Sequence, residues 1–122
     1  MSTAPRSDPT PEGVIDSEDK LKEAAAKGGE WKLTKDFTVS SDVVVTADSL
    51  VINGNGHKIT RNNGDYHDQI IKVSNHKSLA INDVKMESTN GRCFQVNTYA
   101  RLDVSKCTLI SYGDLWLLTL MI

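Results

Sequence analysis

IIKVSNHKSLAINDVKM, residues Ile70–Met86, is followed by CFQVNTYARLDVSKCTL, residues Cys93–Leu109. Laid over one another at an offset of 23, Ile71 falls on Phe94, Val73 on Val96, Leu79 on Leu102, Ile81 on Val104, Val84 on Cys107 and Met86 on Leu109. A small polar residue recurs where one run gives way to the next: Asn82 falls on Ser105, and Asn53, after Leu50-Val51-Ile52, holds the same corner one turn earlier. A third copy starts at Leu117, while Asn62–Gln69, with its Asn-Gly-Asp, reads as an insertion between turns. Self-similarity at a fixed period in the low twenties is the mark of a stacked repeat.

Outward from these two copies the same texture continues. Short apolar runs rich in Val and Ile occur at 37–39, 43–45, 50–52, 58–60, 70–73, 79–81, 84–86, 93–96, 102–104 and 108–110, with Asn, Gly, Asp and Ser between them. Runs of three or four residues fall short of the ~5–6 residues usual in a sheet. Such short strands need partners above and below, and a parallel β-helix supplies them: each repeat is a coil, and alternate side chains stack inside as apolar columns. A leucine-rich repeat shares the period range, but its L-x-x-L-x-L-x-x-N signature is absent. An antiparallel sandwich of short strands is the plain alternative, and the repeat argues against it. The predicted fold is mainly β, a short parallel β-helix of about three to four coils of ~23 residues.

Ahead of the strands the chain reads differently. Residues 1–13, with Pro5, Pro9 and Pro11 among Ser, Thr and Asp, form an extended arm, for nothing apolar recurs to offset its ordering entropy. Residues 14–29 carry a short helix. Asp16 or Ser17 caps it, Glu18 and Asp19 suit its N-terminal dipole, and Leu21, Ala24 and Ala25 share one face. Lys27 suits its last turn, and Gly28 and Gly29 stop it. The β-helix is assigned to 30–122.

The 122 residues allow one domain. Fourteen Lys and Arg stand against 16 Asp and Glu, a net charge of −2, which argues against a partner bound through phosphates and so against nucleic acid. No apolar run approaches the ~20 residues that span a bilayer, so no membrane partner is expected. The N-terminus has no apolar core of a Sec-type signal peptide. Two cysteines are too few for a disulfide scaffold; Cys93 and Cys107 read as buried thiols.

The run LVINGNGHKIT (Leu50–Thr60), preceded by FTVSSDVVV (Phe37–Val45) and by a glycine-stopped helix, resembles the first coils of right-handed β-helices of the pectate-lyase-like class, which includes phage tailspikes and virion fibres. The likeness spans roughly residues 17–111 and is specific for fold rather than function, because the Asn-Gly corner is a turn device. It implies a right-handed coil and a helix that caps its N-terminal opening. No catalytic motif of the class is matched, so no catalytic residue carries over, and no metal or cofactor is expected. Carboxylates that could serve polysaccharide cleavage are Asp65, Asp68, Asp83, Glu87, Asp103 and Asp114; the plainer reading makes them solvated surface charges. Asp83 and Lys106 share a column, as a surface ion pair would. Asp65, Tyr66 and Asp68 are the candidate glycan contacts. His57, His67 and His76 show no metal-ligand spacing.

The last stretch is apolar on both faces of any strand: Leu115, Trp116, Leu117, Leu118, Leu120, Met121 and Ile122 are interrupted by Thr119 alone. A β-helix ending on such a coil leaves core and strand edges to be covered. These residues are the expected oligomer interface, with a trimer suggested by analogy. The expected function is a non-enzymatic structural module of a virion, a decoration, fibre-base or spike protein assembled in the host cytoplasm. It docks on a capsid or tail protein through its arm. The alternative is a polysaccharide-binding or polysaccharide-cleaving β-helix, with Asp65, Asp68 or Asp83 lining a groove beside Tyr66.

Overall fold

A computed structural model describes residues 13–65 and 67–111. After a two-residue strand, β1 (Val14–Ile15), comes the helix α1 (Glu18–Lys27). Its N-cap is Ser17, whose hydroxyl accepts from the Lys20 N–H, and Gly28 closes it at φ 75° and ψ −172°, a region open essentially to glycine alone.

Eleven further strands wind as coils. The first coil is β2 (Gly29–Leu33), β3 (Phe37–Val39) and β4 (Val43–Val45); the second is β5 (Ser49–Asn53), β6 (Lys58–Arg61) and β7 (Gln69–Val73). The third is β8 (Ser78–Asn82), β9 (Lys85–Ser88) and β10 (Arg92–Val96), and a fourth begins with β11 (Arg101–Ser105) and β12 (Thr108–Ser111). Equivalent strands pair in parallel into three sheets. Sheet A runs β1-β2-β5-β8-β11, sheet B β3-β6-β9-β12, and sheet C β4-β7-β10. The chain is therefore a β-solenoid of about four turns with a helix ahead of its coils, as the repeat predicts.

The register follows the sequence overlay. Phe94 pairs with Ile71, Leu102 with Leu79, Val104 with Ile81 and Leu109 with Met86. Asn53, Asn82 and Ser105 lie in one row. Every second side chain points inward, so like residues meet rung upon rung. Ile52 and Ile81 are buried in sheet A, Ile59 and Met86 in sheet B, and Val45 and Val73 in sheet C. The helix lays Leu21, Ala24 and Ala25 into that same core, and the Ala25 carbonyl accepts from the N–H groups of Thr46 and Ala47 beyond β4. No helix of the described residues is long and apolar enough to cross a membrane.

The structure corrects the insertion. Gln69 belongs to β7, so the loop is 62–68. Leu50 pairs with Leu79, 29 residues on, rather than 23. Part of the extra length is that loop and part is the corner Gly54-Asn55-Gly56, which replaces the tight β8–β9 turn around Asp83. β1 and β2 were absent from the sequence reading, and Val84 and Cys107 sit at corners just before β9 and β12 rather than inside them. Residues 1–12 of the arm assigned to 1–13 lie outside the described residues, as do Tyr66 and residues 112–122, with Asp114 and the apolar tail from Leu115.

Candidate binding surfaces and the acidic loop

The loop 62–68 bulges between sheets B and C, and an inward-facing arginine anchors it. Arg61 ends β6 in the row Val39–Arg61–Ser88–Ser111. It is 5% exposed, and a buried guanidinium must be matched by acceptors. Nη1 donates to Asp42 Oδ1 (2.5 Å) and to the Gln69 carbonyl (2.7 Å), Nε donates to Asn63 Oδ1 (3.1 Å), and Nη2 lies 3.5 Å from Asp68 Oδ2. The Gln69 amide donates to the other Asp42 oxygen at 2.5 Å. Within the loop, the Asp65 N–H donates to Asp68 Oδ2 (2.8 Å) and the Asp68 N–H to the Asp65 carbonyl (2.8 Å). One rung on, Arg92 N–H donates to the Asp68 carbonyl.

The two described members of the predicted glycan contact, Asp65 and Asp68, are thus brought together, but as a turn fastened to the rungs. The other carboxylates lie elsewhere. Asp83 stands at the corner between sheets A and B, at φ 57°, where its carbonyl accepts from Gly56 and its N–H donates to Ser105. Glu87 faces outward on sheet B, 3.7 Å from Lys58, and Asp103 outward on sheet A, 3.0 Å from Arg101. Asp83 therefore occupies a different edge of the coil from Asp65 and Asp68. Asp83 and Lys106 hold equivalent corners of successive rungs, both in the left-handed turn region at φ 57° and 53°. Among the described residues no group of three or more His, Cys, Asp or Glu is gathered as metal ligands.

The histidines serve three separate places. His57 Nδ1 lies 2.9 Å from Asp36 Oδ1, which also accepts the Lys58 N–H. Those two hydrogen bonds, His57's first, hold the Asp36 carboxyl below its ordinary range. His67 is exposed in the loop. His76 stacks on Tyr99 one rung above, ring centroids 5.4 Å apart and 23° from parallel. Both cysteines are free. Burial pushes the Cys93 thiol up to about 12 and raises that of Cys107, which is only half-buried.

Sequence reasoning missed the Arg61–Asp42–Gln69 network, because a charged residue in a strand reads as outward-facing. It missed the His76–Tyr99 stack although the offset of 23 places one on the other. On the outer face of sheet A it also missed a ladder of polar side chains: Asn82 donates to Asn53, and Asn53 to Glu30.

The coil so built fits a known kind of domain. Residues 26–114 match the family model described as a pectate lyase-like adhesive domain. The chain belongs to the pectate lyase-like adhesive domain family. No curated protein and no solved structure matches the chain. The matched span of this adhesive-domain chain opens in the last turn of α1 and takes in β2 to β12, so the family assignment and the coils describe the same residues.

Proposed function

We propose that the chain is a non-enzymatic adhesive module, a rigid solenoid that presents polar faces to a glycan. The observation that carries this reading is the scatter of the carboxylates. Cleaving a glycosidic bond needs two carboxyl groups across one bond, or a carboxylate-held Ca²⁺ beside a base. Among the described residues, Asp65 and Asp68 lie in one loop, Asp83 at another corner of the coil, and Glu87 and Asp103 on two different faces beside cations. The family description, an adhesive domain, supports the same reading. The test is to immobilise a panel of bacterial and plant polysaccharides and measure both retention of the chain and release of reducing ends. Retention without release is expected; steady release from any polysaccharide overturns the reading.

A finer form of the proposal sets the module in a virion assembled in the host cytoplasm, docked on a structural protein through residues 1–13. In that setting it oligomerises, as a trimer, through Leu115–Leu118, Leu120, Met121 and Ile122. Its support is the sequence likeness to tailspike coils and the apolar character of the tail. Light scattering of the full chain and of a chain ending at Asp114 tests the oligomer: loss of mass on truncation supports it, and an unchanged mass overturns it.

A further inference from the structure

We infer that the edge between sheets C and A, carrying His76 and Tyr99, is the surface by which this module grips a chain of pyranose sugars. The inference rests on the adhesive reading and names the place and the ligand chemistry.

The edge is built from equivalent four-residue turns on successive rungs. The Lys77 N–H donates to the Ser74 carbonyl, and the Ala100 N–H to the Asn97 carbonyl, both at 3.0 Å. The third residue of each turn is in the left-handed region: His76 at φ 65° and Tyr99 at φ 58°. That slot favours glycine or asparagine, and a bulky side chain strains it. The neighbouring edge, between sheets A and B, fills its left-handed positions with Asn55, Asp83 and Lys106. Histidine is among the side chains that enter this region more readily, so the strained ring on this edge is that of Tyr99.

Nor does that ring repay the strain by filling the core. Tyr99 is 83% exposed and His76 is exposed beside it. Strained backbone that displays side chains to solvent is a pattern of functional sites. The rings hold one another nearly parallel, so the platform is already ordered before anything binds, which lowers the entropy cost of binding.

Polar groups continue the edge toward the helix. The His76 N–H donates to the Thr98 carbonyl above, and Lys77 reaches down to pair with Asp48 at 2.9 Å, a carboxylate whose side chain is 97% exposed. Beside Asp48 lies an open recess of about 570 Å³, lined by Thr46, Ala47, Ser49 and Val51 among others. Ring platform, ammonium, carboxylate and hydroxyls thus follow one another along a single edge.

This is the chemistry a pyranose asks for. Its C–H face packs on a flat ring, and its hydroxyls exchange for water on Thr46, Asp48, Ser49 and Lys77. Nucleic acid would also stack on the rings, but the net charge of −2 and the carboxylate of Asp48 disfavour a phosphate backbone.

The test titrates the ¹⁵N-labelled full chain with two probes, a neutral β-glucan hexasaccharide and a hexagalacturonate, and maps amide shifts. Shifts are expected at 46–49, 76–78 and 98–100 with at least one probe. Tyr99→Asn suits the left-handed slot and so keeps the fold, its melting temperature unchanged or raised. It should weaken binding by about tenfold or more, the loss expected of one stacked ring, whereas Tyr99→Phe should bind like the parent. If a probe binds but its shifts map to another face and Tyr99→Asn binds unchanged, this site is wrong and the adhesive reading stands. If neither probe binds, and the chain is retained by no polysaccharide, both fall.

Discussion

Arg61 shows how a single residue reconciles an apolar coil with a polar loop. Its place in β6 forces it inward, and the guanidinium is tolerated there because Asp42, Asn63, Asp68 and the Gln69 carbonyl supply acceptors. Removing one partner of a buried pair leaves an uncompensated charge. Because Asn63, Asp68 and the Gln69 carbonyl still accept from Arg61, Asp42→Ala is expected to cost about 1.5–3 kcal/mol in urea unfolding, the range for hydrogen bonds to a charged group; a loss below about 1 kcal/mol, the ceiling for an exposed pair, would show the network to be surface decoration. Gly54 carries a second residue-scale constraint. A Cβ there would stand 2.2 Å from the Asp83 carbonyl of the next rung, against rigid backbone. Gly54→Ala should therefore destabilise by about 1–3 kcal/mol or more, the usual cost of overpacking, while Gly56→Ala, whose Cβ meets nothing within 4 Å, isolates the smaller cost of its positive φ. Equal melting temperatures for the two variants would argue that the rungs do not approach so closely. Neither constraint was visible in the sequence. Gly54 and Gly56 read alike as turn glycines, and only the stacking of Asn53 on Asn82 brings the first against a neighbouring backbone.

At the scale of elements, legibility followed the regularity of the rungs. Ile71 on Phe94 and Leu79 on Leu102 were readable because β7, β8 and β9 each find their partner strand 23 residues on, and side-chain alternation did the rest. Gly29 pairs with Leu50 only 21 residues on, and Leu50 with Leu79 after 29, so no fixed offset exposes β2 or the second coil's corner. β2 was hidden further because Gly28-Gly29 reads as a helix stop, which it is, while Gly29 is also the strand's first residue. The helix was legible in its cap and its buried face, but its dock was not. Glu18 reaches across to Ser40, accepting from its N–H at 3.0 Å and from its hydroxyl, and pairs with Lys22. Burial would lift the Glu18 carboxyl, but the Ser40 and Lys22 contacts outweigh it and hold it below the ordinary value of 4.5. The folded state then binds this proton less readily than the unfolded chain does. Its contribution is complete above the ordinary glutamate range and is lost as the pH falls through the lowered value. Acid titration should loosen the helix dock in that window, and Glu18→Gln should remove that part of the pH dependence; an identical acid profile for both chains would deny the contact its role.

For the whole molecule, the solenoid makes function a matter of edges and faces. The three sheets stack so that residues one period apart are neighbours, while outward side chains on different edges of the coil are held apart. That geometry separates Asp83 from Asp65 and Asp68 and brings His76 to Tyr99. On the proposed reading, an extended polymer lies along the edge of His76 and Tyr99, across successive rungs. Asp65 and Asp68 lie together in the loop beside Arg61, whereas the exposed rings of His76 and Tyr99 stand on another edge. The most direct measurement is to incubate a polysaccharide that retains the chain with the full-length protein for many hours and compare its chain-length distribution by size-exclusion chromatography. An unshortened polymer that co-elutes with the protein is predicted; a distribution shifted to shorter chains contradicts the account.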